Sequence, residues 1–254
     1  MRKRKRHPVR IILAVICAGI CLTFCGKFIL SELNIPGLGG AKVTARLLSE
    51  SGEYPARLLA ALENNEEMRQ FVLDYPEKKD IDVENIKLSL DEDRSIPLFL
   101  QWDERWGYAP YGGGMIGLDG CGPTCLSMVL VGLTQDLDMN PKRVAQFSSE
   151  NGYVTDAGTL WALMTEGAEQ LGLHSEEVSL SESRMTAELE DGHPIICSMR
   201  PGDFTTTGHF IVIYGVEDGE FLVNDPNSRA RSEKRWSYEQ LSGQIKVMWA
   251  FSAS

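Results

Sequence analysis

Residues 118–130 read LDGCGPTCLSMVL. The stretch opens on an Asp119-Gly120 turn, places Cys121 next, and runs straight into an apolar, helix-like segment. A helix N-terminus presents N–H groups without intrahelical partners and a partial positive charge. A thiol of ordinary pKa about 8.5 falls to roughly 3.5–7.5 in such a place, or beside an imidazolium. Gly120 and Gly122 allow a tight backbone turn and leave room for a substrate carbonyl, and Pro123 suits a first helical turn where its missing N–H costs nothing. The expected helix runs from Cys121 to about Leu133 and aims a thiolate outward from its positive end.

Beyond that helix the chain reads first as further helices and then as strands. A short helix is expected near 141–148 and a longer one over 157–171, with Leu160, Trp161, Leu163, Met164, Ala168 and Leu171 as its apolar stripe. Another spans 182–190 and stops at Gly192. Then come PIICSM, HFIVIYGV, EFLVND and KVMWAF, short apolar runs rich in β-branched and aromatic residues and divided by turn sequences. Helices followed by strands predict an α+β fold rather than repeating βαβ units.

The strands supply partners for the thiol. Of four histidines, His7 lies in the basic N-terminal run, His174 in polar sequence and His193 in a DGHP turn. His209 alone opens a strand, behind GDFTTTG. If residues 209–217 and 220–225 form a hairpin about EDGE, Asp225 at the end of the second strand lies beside His209 at the start of the first. A carboxylate there orients the imidazole and stabilises its cation. Asn224 could also orient a ring, but neighbours in a strand point to opposite faces, so only one of the two can serve. Gln101, which starts QWDERWG, offers an amide N–H₂ for an oxyanion, a contribution of about 3 kcal/mol where it operates.

In chain order these are Gln101, Cys121, His209 and Asp225, and the order resembles that of papain-like cysteine peptidases. QWDERWG, DGCGPTCLSMVLVGL, GHFIVIYG and VNDP resemble, more specifically, the bacteriocin-processing type, peptidase family C-thirty-nine-like, in its stand-alone bacterial branch. The resemblance covers roughly residues 95–252. It implies Cys121 as nucleophile, His209 as base, Asp225 as orienter and Gln101 as oxyanion donor. It also implies helices packed on one antiparallel sheet with the cleft between them. Processing members are usually joined to a transporter, and this sequence carries no ATP-binding motif, so cleavage after double glycine is not assumed. Gly39-Gly40 reads as a hinge rather than a self-cleavage site.

Charge and hydropathy bound the rest. Of 25 Lys and Arg, seven fall in the first 27 residues, and all 36 Asp and Glu lie beyond them. So acidic a body argues against nucleic acid as a partner. The basic start leads into Ile11–Leu30, about 20 residues and roughly the length that spans hydrocarbon. The basic flank places the N-terminus in the cytoplasm and the body outside, as a single-pass anchor; a cleaved signal peptide is the alternative.

The expected organisation is an anchor at 1–30, a connector and short helical stalk at 31–94, and a peptidase domain at 95–254. Within the stalk, residues 31–54 read as a flexible connector, followed by two short helices that Pro76 ends. Cys17, Cys21 and Cys25 share one face of the apolar segment. Cys125 and Cys197 read as packing residues, with a bridge between them as the alternative. No metal-ligand spacing and no cofactor motif emerges.

The expected function is hydrolysis of a peptide or protein substrate. The competing expectations are a peptidase-like module that binds peptides without cutting them, and the same chemistry directed at peptidoglycan cross-bridges. The segment Ser198–Phe210, with Asp203, Phe204 and three threonines, is expected to line the cleft.

Overall fold

The computed structural model describes residues 40–88, 90 and 94–253, which fall into two compact units, up to Asp74 and from Tyr75 onward. The proposed anchor at 11–30 and Gly39 lie outside the described residues. Among the described residues no helix is long and apolar enough to cross a membrane.

The first unit contains helices α1 (Gly40–Ser49) and α2 (Ala56–Asn64) and the start of α3 (Arg69–Lys78). The sequence from Gly40 is therefore helical where a flexible connector was expected, because Ala41, Thr44, Ala45 and Leu48 form a buried stripe at helical spacing. Leu58, Leu59 and Leu62 of α2 are buried, as are Phe71, Val72 and Leu73 of α3. Pro76 sits inside α3 and does not end it. The helix runs only two residues further, so the loss of one N–H donor falls in its last turn.

The second unit begins with two small hairpin strands, β1 (Pro110–Tyr111) and β2 (Gly114–Met115), and a one-turn helix α4 (Ile116–Asp119). Helix α5 (Cys121–Thr134) follows after Gly120 alone. No side chain caps α5, and every residue from Gly122 to Val131 is buried. A cap is worth about 1 kcal/mol, whereas each large apolar side chain fully buried contributes about 1.5–3 kcal/mol. Packing, not capping, fixes this helix. It ends at Gln135 in a left-handed conformation, φ 57°.

Next come α6 (Pro141–Glu150), the hairpin strands β3 (Val154–Thr155) and β4 (Gly158–Thr159), a 3₁₀ turn at Trp161–Leu163 and α7 (Glu166–Gln170). The single helix expected over 157–171 is thus a hairpin strand and two short helical pieces. Gly158 has φ 111°, outside helical space, and Thr165 breaks the chain again at φ −111°, ψ −91°. The apolar spacing is real for Leu163, Met164 and Ala168, which are buried, whereas Leu160 and Trp161 are exposed.

The remainder is β5 (Leu173–Glu177), α8 (Glu182–Glu190), β6 (Ile195–Met199), β7 (His209–Glu217), β8 (Glu220–Asn224), α9 (Arg229–Ser232), β9 (Arg235–Trp236), α10 (Tyr238–Ser242) and β10 (Ile245–Ala253). Six strands form one antiparallel sheet in the order β5-β10-β6-β7-β8-β9. The fold is α+β. The β7–β8 turn places Asp218 and Gly219 at φ 52° and 80°, the positive pair that a two-residue hairpin loop demands.

Alternation along the strands divides the core in two. On one face α5 packs through Leu126, Met128 and Val129 into a cluster with Ile196, Phe210, Val212 and Trp249. On the other, Met185 and Leu189 of α8 join Ile195, Ile211, Ile213 and Met248. Cys125 belongs to the first cluster and Cys197 to the second, and both thiols are free. The sheet between them removes the bridge that the sequence left open.

Candidate active site

Cys121 is the first residue of α5 and is partly exposed, whereas Cys125, one turn on, is fully buried. The close approach at this helix start depends on glycine. A Cβ on Gly122 would lie 2.6 Å from Thr159 Cγ2 and 2.7 Å from its Oγ1, so β4 can cross the helix end only because residue 122 has no side chain. Thr159 is itself held by Tyr111, whose hydroxyl lies 2.8 Å from Thr159 Oγ1 and 3.0 Å from Ser148 Oγ. Burial pushes the Tyr111 phenol up to about 12, so it stays a neutral hydrogen-bonding group.

His209 opens β7, paired with Met199 at the end of β6. Its Nε2 lies 2.8 Å from Asp225 Oδ1, and both side chains are buried. Cys121 is the ring's other side-chain neighbour, and its proximity adds to the pull that charges the ring. With Nε2 committed to Asp225, Nδ1 is the nitrogen left for the thiol. Burial opposes charging the ring, but Asp225, with a smaller contribution from Cys121, outweighs it and His209 is pushed up to about 10.

Asp225 follows the last residue of β8 and is wholly buried. Its Oδ1 also accepts the Asn227 N–H at 2.8 Å, and its Oδ2 accepts from Arg231 Nε. Burial by itself would raise this carboxyl; the charge and hydrogen bond of His209, followed by those of Arg231, hold it below the usual carboxylate range. Asn224 points elsewhere. Its Nδ2 donates to the carbonyls of Ile96 and Pro97 at 2.9 and 3.2 Å, and its Oδ1 accepts from Arg94 at 2.5 Å. The strand rule that one of the two neighbours serves the ring selects Asp225.

Gln101 joins the two halves. Its backbone N–H donates to Pro226 O at 2.7 Å, next to Asp225 in the chain, and its Nε2 donates to Gly117 O at 3.0 Å, four residues before Cys121. The side chain is buried, and its Oε1 has no hydrogen-bond partner. A primary amide has two N–H donors, so the bond to Gly117 leaves one for a ligand. Trp102 Nε1 donates to Asn227 O at 3.1 Å and ties the same two segments together.

The other two described histidines, His174 and His193, stand apart. His193 pairs with Glu188 at 2.9 Å beside α8, and His174 is exposed on the edge strand β5. Among the described residues no three His, Cys, Asp or Glu come together as a metal site.

The loop 200–208 departs from its expected role. Phe204 is buried and packs on Trp236, ring centroids 4.5 Å apart, in the cluster on the far face of the sheet. Asp203 is engaged at both its N–H and its carboxylate by the Gln244 side chain. Phe204 therefore anchors the loop from the far face of the sheet and does not line a cleft.

Two groups near the site were not foreseen. Arg231 stands in NSRARS without an apolar or glycine signal, and only Ser228, a helix-capping residue, hints at the short turn that carries it. Thr159 was hidden inside the expected helix.

Residues 94–252 match the model of the Peptidase_C39 like family. No curated protein matches the chain. Among solved structures, the peptidase domain of Streptococcus ComA, a bi-functional ABC transporter involved in a quorum-sensing pathway, is 17% identical with a TM-score of 0.40, over 52% of this chain and 93% of that one. A double glycine motif protease from an AMS/PCAT transporter, solved with its leader peptide, is 14% identical with a TM-score of 0.39, over 65% and 97%. A putative C39-like peptidase from Bacillus anthracis is 16% identical with a TM-score of 0.38, over 67% and 99%. The family match takes in more than half of the chain, including Gln101, Cys121, His209 and Asp225, and the chain belongs to the Peptidase_C39 like family.

Proposed function

We propose that this chain is a cysteine peptidase that cuts peptide bonds with Cys121 as nucleophile, His209 as acid and base, Asp225 as orienter and Gln101 as oxyanion donor. The observation that carries the reading is the line of partners from sulfur to ring to buried carboxylate. An imidazolium beside a thiol favours the thiolate, which is the reactive form. The sulfur attacks the scissile carbonyl and forms a tetrahedral intermediate. Its oxyanion is positioned to take the free amide N–H of Gln101 and the N–H groups at the first turn of α5, which lack intrahelical acceptors. His209 gives its Nδ1 proton to the leaving amine, and the intermediate collapses to a thioester on Cys121. The neutral ring then takes a proton from water, hydroxide adds to the thioester, and the thiolate leaves as the acid product forms. Throughout, the Nε2–H bond to Asp225 keeps the tautomer in which Nδ1 faces the sulfur.

The reading includes a membrane anchor at residues 11–30 with the peptidase unit outside, supported by the apolar run and the basic flank before it. The test is mass-spectrometric mapping of cut sites in a peptide library. Wild type is expected to produce defined cuts that Cys121→Ala abolishes. Equal cutting by the two proteins ends the reading. A protein that retains peptides uncut, with Cys121 inert to iodoacetamide, is instead a binding module.

A further inference from the structure

Asp225 carries more than an orienter needs. One carboxylate oxygen is occupied by His209 Nε2 and the Asn227 N–H, each at 2.8 Å, and the other by Arg231 Nε. The carboxylate is fully buried, while the Arg231 side chain keeps 22% exposure. Helix α9 exists as a mount for this arginine. Ser228 caps it by accepting the Arg231 N–H at 3.1 Å, and Trp236 Nε1 donates to Arg231 O at 3.1 Å, so the residue is gripped at both ends of its backbone. Ser232, the next residue, accepts the Asp225 N–H at 2.8 Å. One turn of helix thus holds the carboxylate from the backbone side and from the side-chain side.

We infer that Arg231 is a positioning residue of the catalytic cluster, which keeps Asp225 ionised and aimed at His209 while the ring is neutral. The inference rests on the peptidase reading. In the resting state the ring, carboxylate and guanidinium alternate in charge. Once His209 has given its proton to the leaving amine, the buried carboxylate loses its first cation. A buried carboxylate without a cation costs several kcal/mol and takes up a proton instead. A protonated Asp225 would no longer need the Nε2–H bond, and Nδ1 would lose its fixed orientation when it must activate water. Arg231 is charged throughout and fills that gap. The titratable or charged groups acting on Asp225 are His209 from β7 and Arg231 from α9; Cys121 on α5 lies beyond the ring, and Asp225 in turn raises Cys125.

The test reads the carboxyl directly, in the full chain labelled with ¹³C-aspartate, with the Asp225 signal assigned by its loss in Asp225→Asn. Arg231→Met and Arg231→Gln are expected to raise the pH at which Asp225 takes a proton by about 1–3 units, the effect of one close opposite charge. Arg231→Lys is expected to restore most of the shift, because the contact is one N–H bond that an ammonium can also make. On a peptide that wild type cleaves, kcat should fall in the Met and Gln variants with KM unchanged, and recover in the Lys variant. Gln keeps a neutral N–H donor at the position of Nε if Met perturbs folding. An unchanged Asp225 midpoint, or a shift that Lys leaves in place, overturns the role of Arg231. The titration does not need activity. If Cys121→Ala cuts as well as wild type, the peptidase reading fails while the Arg231 coupling is still measured; an unchanged midpoint with inactive Cys121→Ala sinks only the arginine.

Discussion

The two halves of the site are built on opposite principles. On the sheet side, His209, Asp225 and Arg231 are joined by bonds that leave both oxygens of the carboxylate occupied, and the backbone around them is tied by Ser228, Ser232 and Trp236. On the helix side, capacity is left open. Cys121 is partly exposed, α5 has no capping side chain, and Gln101 has a buried oxygen without a partner and an amide hydrogen to spare. In the proposed peptidase the difference separates tasks. A charge network must be complete before substrate arrives, since a half-satisfied buried ion is costly. Oxyanion donors must stay free until charge develops on the substrate.

This contrast can be broken from either side. The largest effect belongs to the sheet half: Asp225→Ala leaves a buried imidazole and an arginine without their anion and should cost about 3–5 kcal/mol in urea unfolding as well as peptidase activity. A loss of activity with unchanged stability would mean that the network is not an energetic unit. On the helix half, Gln101→Ala should lower kcat by about 10²–10³ with a smaller loss of stability than Asp225→Ala, about 1–3 kcal/mol from the unpaired Gly117 carbonyl. Steady-state kinetics beside thermal melts separate the two outcomes. Gly122→Ala, which drives a methyl group into Thr159, should cost about 1–3 kcal/mol by overpacking and depress Tm.

A gentler probe is the pH dependence of stability. His209 is raised from 6.5 to about 10, so its contribution is full below 6.5 and is lost as pH climbs toward 10. Asp225 is lowered from 3.8, so its contribution is full above 3.8 and is lost as pH falls below it. The stability gap between wild type and Asp225→Ala should therefore be widest from about pH 4 to 6.5 and should narrow on both sides. A gap that is flat from acid to alkali contradicts this. The smallest expected signal is a silence: burial raises the thiols of Cys125 and Cys197, so neither should be alkylated in the native protein.

The same contrast governs what could be read from sequence. The strands Ile195–Met199, His209–Glu217 and Glu220–Asn224 were legible because buried apolar runs end at strong turn signals, Asp218-Gly219 above all. That hairpin then places His209 beside Asp225 with no further information. The edge strand Leu173–Glu177 was not legible. Only Leu173 among its residues is buried, and its partner β10 supplies the pairing that its composition does not announce. The region 154–171 misled because its apolar spacing belongs to two separate helical pieces. Phe204 misled because an aromatic in a loop before a candidate histidine can equally face a core. Arg231 was beyond reach, since nothing local to NSRARS says which carboxylate an arginine will meet.

The central claim is that the sheet half activates the sulfur at the start of α5. Iodoacetamide labelling of the native protein at neutral pH, with the modified cysteine identified by mass spectrometry, tests it most directly. The account predicts modification of Cys121 that is rapid in wild type and strongly slowed in His209→Ala. Modification at the same rate with and without the imidazole would contradict it.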